Sequence, residues 1–459
     1  MPREGLNANW NYAKAPVALS ADEWKRQEQT GEYLFDSQMR ELKRIIDNFS
    51  VVEHTGGTNL GTRNIGIVGD RGTGKTSLAK TYQAVLKNWG YYVFDLVDPS
   101  VFEQHLNILE ILISNIYDVI NPAENLYDDN THALRTGILM ALKKLTKTLA
   151  NERQKEACFC EKNPPIEVLN EIQNRLALDD TIGKILSETA HFLKTQNKKV
   201  KDFVLIIDDI DLLNNTISNN LICDILKYLD TKLIVILCFR ESQLQLSLLN
   251  ESIVEYKELL TPNAAFGAGQ FVTLDELSIQ NTNKLNKLIP KSHRVYMFSP
   301  KELAERSMSE ILSVVYGREN TAIGNESYDR IRGYKKTAKE WVYDTVYKRT
   351  NLSIKPIDER EETSFFMPTN IRDLLQLAEL LESQMQTLVR VDEKTVAKYK
   401  SNLEKFYEYF KGRAYEALSP SMASFLKGWV IKDSYQKIIL VTILFMICLQ
   451  SCLKMKCHL

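Results

Sequence analysis

Neither sign of charge dominates this chain: 58 Lys and Arg stand against 59 Asp and Glu in 459 residues, a formal net charge of −1. Such a balance supplies no global field for DNA or RNA, so a nucleic-acid surface would have to be a local patch. Cysteine is sparse and irregular. Its seven thiols lack the spacing of a disulfide framework, and Cys158-Phe159-Cys160 has no second pair nearby to complete a zinc site. His132 and His191 are isolated, and no Ser, His and Asp arrangement for nucleophilic catalysis can be assembled. Internal repeats are missing. The polar, tryptophan-containing N-terminus shows no signal-peptide pattern, which together with free thiols predicts a reducing, cytoplasmic setting. A long apolar run is lacking until residues 438–453, flanked by Lys437 and Lys454. That run falls slightly short of the roughly 17–25 residues of a membrane helix. Two readings stay open there: a membrane tail anchor with snorkelling lysines, or a core helix of a domain cut short.

What is present is concentrated near residue 70. Gly69-Asp70-Arg71-Gly72-Thr73-Gly74-Lys75-Thr76 fits the Walker A pattern without departure, after the apolar Asn64-Ile65-Gly66-Ile67-Val68 and before the helix-forming Ser77-Leu78-Ala79-Lys80. Strand, glycine loop and helix come in the order that phosphate binding requires. Backbone N–H groups of such a loop form an anion nest, the helix adds positive charge at its first turn, and glycines let the main chain approach closely. Gly69, Asp70, Arg71, Gly72, Thr73, Gly74, Lys75, Thr76 and Ser77 are therefore the expected ATP contacts. Lys75 would reach the outer phosphates, and the Thr76 hydroxyl would ligate Mg²⁺.

The second acidic element lies well downstream, in Phe203-Val204-Leu205-Ile206-Ile207-Asp208-Asp209-Ile210-Asp211. A continuous apolar run ending in carboxylates describes a buried parallel strand whose carboxyl end opens into a crevice. Asp208 is expected to hold Mg²⁺ through water, and Asp209 to polarise the attacking water.

The tandem Asp208-Asp209 after four apolar residues, paired with the glycine loop, resembles the AAA+ and STAND group of P-loop ATPases. Members usually carry aspartate then glutamate. Here the second acid is one methylene shorter, a departure that bears on hydrolysis rather than on binding. The resemblance implies a sensor of the outer phosphate after the apolar Leu233-Ile234-Val235-Ile236-Leu237-Cys238-Phe239, where Arg240 stands. It also implies an arginine finger offered to a neighbouring subunit at Arg294, before the short strand Val295-Tyr296-Met297-Phe298. A third implied role is that of a lid arginine touching phosphate, at Arg372, in the first turn of the helix opened by Met367-Pro368-Thr369-Asn370. From the residues alone, Arg294 reads as well as solvated surface. Arg372 reads equally as an exposed arginine on an amphipathic helix with Leu374, Leu377, Leu381 and Leu388 on its apolar face. Looser similarities at residues 95–100, 208–212, 288–294, 347–350 and 370–374 resemble bacterial ATPases of this group that serve in anti-phage defence, including the partner of an adenosine deaminase.

With 44% hydrophobic and 25% charged residues, the chain can build two to three cored domains. Residues 1–60 are expected to form an N-terminal extension with one helix over 36–48. The α/β core, a P-loop NTPase parallel sheet with helices on both faces, spans 61–300. It carries a second strand at 91–99 and a lysine-rich helical insertion at about 125–198, for which a partner-contacting hairpin is one hypothesis. A helical lid follows at 301–390, a further helical region at 391–436 and the apolar tail at 437–459. Helices are predicted at 341–349, 370–389 and 396–410.

These readings converge on an ATP-binding and ATP-hydrolysing chain that works as a homo-oligomer and passes lid motion to a protein effector. Two alternatives remain at this level. One is a nucleotide-gated scaffold that barely hydrolyses. The other is a nucleic-acid-binding loader resembling replication-origin recognition ATPases, using the basic stretch of Arg330, Arg332, Lys335, Lys336, Lys339, Lys348, Arg349 and Lys355.

Overall fold

A computed structural model describes residues 20–22, 24–25, 34–54, 61–98, 107–121, 129–157, 178–196, 198, 200–257, 273–308, 310–311, 336–350, 367–381, 385, 398, 401–406 and 408–409. The chain divides into two compact units, Ala18–Met297 and a second that begins at Phe298 and takes in Met1–Val17.

The first unit is organised by three strands rich in β-branched residues: β1 (Asn64–Val68), β3 (Phe203–Ile207) and β4 (Ile234–Phe239). Every residue of all three is buried. Burial on both faces explains why they read as continuous apolar runs rather than as alternating ones. Shorter strands, β2 (Tyr92–Val93) and β5 (Arg294–Tyr296), close the edges, giving the order β2-β3-β4-β1-β5. All pairings are parallel, with Ile65 opposite Ile236 and Val204 opposite Ile234. The expected strand at 91–99 is thus mostly an edge segment. Beyond Val93 it returns to the ladder at Val97, which bridges Ile207.

Helices cover the sheet. They are α1 (Asp36–His54), α2 (Lys75–Asn88), α3 (Ile108–Ile120), α4 (Asp129–Ala157), α5 (Leu178–Thr195), α6 (Asn215–Asp224), α7 (Glu241–Glu255) and α8 (Leu274–Leu288). In α1, Met39, Leu42, Ile45, Ile46 and Phe49 are buried, the helical spacing expected, and the helix runs past the predicted end at 48. The insertion is a packed part of the core. Leu142, Leu145 and Leu149 of α4 and Ile182, Ile185 and Phe192 of α5 join the same apolar cluster as Leu205 and Val235 of the sheet. Burying each such side chain contributes roughly 1.5–3 kcal/mol, so these faces are spent on folding rather than offered to a partner.

The second unit is helical where described. α9 (Pro300–Glu305) has a Ser299–Glu302 capping box, α10 (Ala338–Thr350) buries Trp341, Val342 and Val346, and α11 (Ile371–Glu379) is capped by Asn370 and buries Leu374, Leu375 and Leu377. Asn402 donates to Arg349 O at 2.8 Å and Tyr409 to Asp373 O at 3.1 Å. Those bonds tie the later helical residues to α10 and α11. Arg372 is exposed in the first turn of α11. Arg330, Arg332, Lys335, Lys355, the Cys158 and Cys160 pair and the tail at 437–459 lie outside the described residues. Among the described residues, no helix is long and apolar enough to cross a membrane.

Candidate functional site

The loop after β1 is shaped by two residues that require glycine. Gly72 (φ 83°) and Gly74 (φ 93°) both take the left-handed region that disfavours a side chain. Close packing adds to this: a Cβ on Gly69 would meet Met297 Cβ at 2.7 Å, and one on Gly74 would meet Phe35 Cζ at 2.5 Å. The loop is anchored to the sheet by Gly69 N–H, which donates to Phe239 O at 3.2 Å, and to itself by Thr73 Oγ1, which donates to Asp70 O at 2.8 Å.

The helix that follows shares with α7 the lack of a side-chain cap, and differs from α7 in having no acid in its first turn. At their starts, α3, α6, α8, α9 and α11 each have a side chain that accepts a backbone N–H. In α2 the N-cap is Gly74, with no side-chain cap and no acid in the first turn. Its terminal donors and the positive end of its dipole are left for an anion. Lys75, 7% exposed, supplies the matching cation, its Nζ donating to Gly69 O at 2.9 Å and Asp70 O at 3.2 Å. Thr76 is partly exposed on the same turn and Ser77 is buried, while Asp70 and Arg71 lie exposed on the outer bend of the loop.

The acidic side of the site is set by β3. Asp208, 4% exposed, is the first residue beyond the strand, and its Oδ1 accepts the Asp209 N–H at 3.0 Å. Its backbone N–H donates to Val97 O at 2.9 Å. Asp209 adopts a left-handed backbone at φ 48° and caps the short 3-10 turn Ile210–Leu212. Burial, then the neighbouring Asp208 carboxylate, holds the Asp209 carboxyl above its ordinary value, with Lys75 pulling in the opposite direction. Because β1 and β3 flank β4 in one parallel sheet, the glycine loop and Asp208 leave the sheet at the same carboxyl edge.

Two residues here escaped sequence reasoning. Cys238 is fully buried on β4, and burial, then the nearby Asp208 carboxylate, pushes its thiol well above the usual range. Its signal was weak, a single thiol in an apolar run. Phe35, against Gly74, precedes α1 in a part of the sequence without any motif.

Arg240 stands where β4 gives way to α7, directly after the Phe239 carbonyl that holds Gly69. Its Nε is enclosed and makes no hydrogen bond among the described residues. Arg294 departs from the finger expectation. Its side chain is 1% exposed and pairs with Glu241 Oε1 at 2.6 Å. It also donates to Asn286 Oδ1 at 2.8 Å and twice to Ile289 O, at 3.1 and 2.9 Å. A guanidinium spent on three partners of its own unit is a brace between β5, α7 and α8, not a group presented to a neighbour. The physical reason is the Ile289 carbonyl together with the first-turn Glu241 carboxylate, which between them draw the guanidinium inward.

A parallel sheet of this order, a glycine loop on an uncapped helix, a buried lysine and a strand-end aspartate define the nucleotide site of a P-loop NTPase. The comparison of sequences sharpens this: the KAP family P-loop domain matches residues 62–259, from just before β1 to just after α7. No curated protein matches the chain.

Proposed function

We propose that the chain binds ATP with Mg²⁺ at this site and hydrolyses it. The observation that carries the reading is the uncapped start of α2 with Lys75 beside it, in one electrostatic neighbourhood with Asp208 and Asp209. The Thr76 hydroxyl and the Asp208 carboxylate are hard oxygen donors of the kind Mg²⁺ takes when phosphates and water complete its shell. Bound there, the ion would neutralise charge on the transferring phosphate. Lys75 would give up its carbonyl contacts for the outer phosphate oxygens, Arg240 would approach from the end of β4, and Asp209 would hold the attacking water. A lid role for Arg372, assembly into a homo-oligomer, motion passed to a protein effector and a part in anti-phage defence belong to the same proposal, supported by the AAA+ resemblance. The KAP match bears on the P-loop domain alone.

Calorimetry and steady-state phosphate release test it together. The wild type is expected to take up Mg-ATP and release phosphate, while Lys75→Ala loses both; unchanged turnover in Lys75→Ala defeats the reading. A second reading, a nucleotide-gated scaffold with little hydrolysis, is favoured by the short and half-buried second acid, Asp209. Indistinguishable near-zero rates for wild type and Asp209→Ala, with Mg-ATP still bound, select it.

A further inference from the structure

Both ends of the glycine loop are gripped by side chains from outside the KAP match at 62–259. At its far end, a Cβ on Gly74 would fall 2.5 Å from Phe35 Cζ and 3.4 Å from Cε1 and Cε2 alike, so the ring meets the loop tip first. At its near end, Met297 Cβ and Cγ both lie 2.7 Å from where a Gly69 Cβ would be. Each glycine leaves a space that the opposing side chain fills. Phe35 is fully buried and Met297 nearly so.

The two grips are joined to each other. Phe35 stands at the start of α1, its carbonyl accepting the Met39 N–H at 2.9 Å. Close by on the first turn, Gln38 Nε2 donates to Tyr296 O at 3.3 Å, and the next residue, Met297, donates its N–H to Val68 O at 2.8 Å. Further along α1, Phe49 packs edge-on against His293, whose Nδ1 lies 3.2 Å from Asn64 O. α1 is therefore fixed at two points along the β5 edge of the sheet, and this holds Phe35 against the loop.

A glycine-rich loop has the greatest conformational freedom of any backbone, yet to bind phosphate it must aim successive N–H groups at one point. Gly74 is also the N-cap of α2, at φ 93° and ψ 19°, so a shift there turns the uncapped helix start and the adjoining Lys75. We infer that Phe35 and Met297 are positioning residues of the nucleotide site, holding the loop in its phosphate-accepting shape through Gly74 and Gly69. This inference rests on the ATP-binding reading above. A loop that keeps that shape for only about a tenth of the time binds about tenfold more weakly.

The experiment measures Mg-ATP affinity by calorimetry, and melting temperature, for full-length wild type, Phe35→Leu, Phe35→Met, Met297→Ala and Ile45→Ala. Leucine keeps a buried apolar side chain but lacks the ring tip, whereas the flexible methionine is long enough to reach Gly74 again. Ile45, also buried on α1, lies roughly 15 Å along the helix from Phe35 and controls for lost packing. Phe35→Leu and Met297→Ala should each bind about tenfold more weakly, and Phe35→Met should return to within about threefold of wild type. Ile45→Ala should melt lower and bind as wild type does. A folded Phe35→Leu or Met297→Ala that binds within about twofold of wild type overturns the inference alone. So does an Ile45→Ala as weak as they are, or a Phe35→Met no tighter than Phe35→Leu. Should one of the two test variants not fold, the other decides by the same measure. A wild type that takes up no Mg-ATP overturns the binding reading and this inference with it.

Discussion

Arg294 shows how one side chain can be read correctly for charge and wrongly for place. The sequence puts it before a strand, where the AAA+ resemblance implies a finger, but enclosure by Ile289 O, Asn286 and Glu241 makes it structural. Arg294→Met should lower the unfolding free energy by about 3 kcal/mol in denaturant titration, because the carbonyl and the carboxylate lose their cation. A finger would instead leave stability unchanged and lower turnover only. His293, next to it, packs edge-on against Phe49 and places Nδ1 3.2 Å from Asn64 O. Burial depresses its basicity below the ordinary 6.5. Between the depressed folded value and 6.5 the unfolded chain binds more protons, so stability is present above 6.5 and lost as pH falls through the folded value. Unfolding midpoints at about pH 7.5 and 5.5 should therefore converge in His293→Gln relative to wild type. Neither the enclosure of Arg294 nor that of His293 can be seen in one dimension, because both depend on Asn64, Glu241 and Ile289 arriving from distant segments.

Among the elements, those with self-contained signals were the legible ones. β1, β3 and β4 announce themselves as uninterrupted apolar runs, and the glycine loop carries its own grammar. α1 was visible through Met39, Leu42, Ile45 and Ile46, although its end was set too early at 48. The extent of β2 was not visible, since an edge strand keeps only as many ladder bonds as its one neighbour supplies. The fit between loop and N-terminal segment was equally hidden. Gly74→Ala places a methyl group where φ is 93° and Phe35 Cζ lies at 2.5 Å, and Phe35 is itself fully buried and has no room to retreat. Left-handed backbone alone costs an alanine about 1–2 kcal/mol. The variant should melt lower than wild type and lose Mg-ATP uptake in calorimetry, whereas Asp70→Ala, on the exposed bend, should keep its melting temperature.

At the scale of the whole molecule, the folded unit is larger than the stretch that sequence comparison finds. The KAP match stops at 259, yet β5 lies at Arg294–Tyr296, α1 at Asp36–His54, and Gln38 reaches from α1 to Tyr296 O at 3.3 Å. A piece cut at 62–259 would expose the edge of β1 and strip the cover from the glycine loop. It should aggregate on size-exclusion chromatography, while a piece spanning 18–297 should elute as a compact species. Of the basic stretch, Lys336 and Lys348 both bind Asp344 at 2.7 Å and Arg349 is buried.

The N-terminal segment also carries an optical consequence. Trp24 meets Trp89 edge-on at 6.1 Å, Trp89 meets Tyr82 at 6.0 Å, and Lys43 lies over the Trp89 ring at 5.4 Å. Trp89 closes the same helix that begins at the phosphate loop. Undocking of Trp24 from Trp89 would bring both indoles into water and shift their emission to the red, so the attachment of this segment can be followed by intrinsic fluorescence without any label.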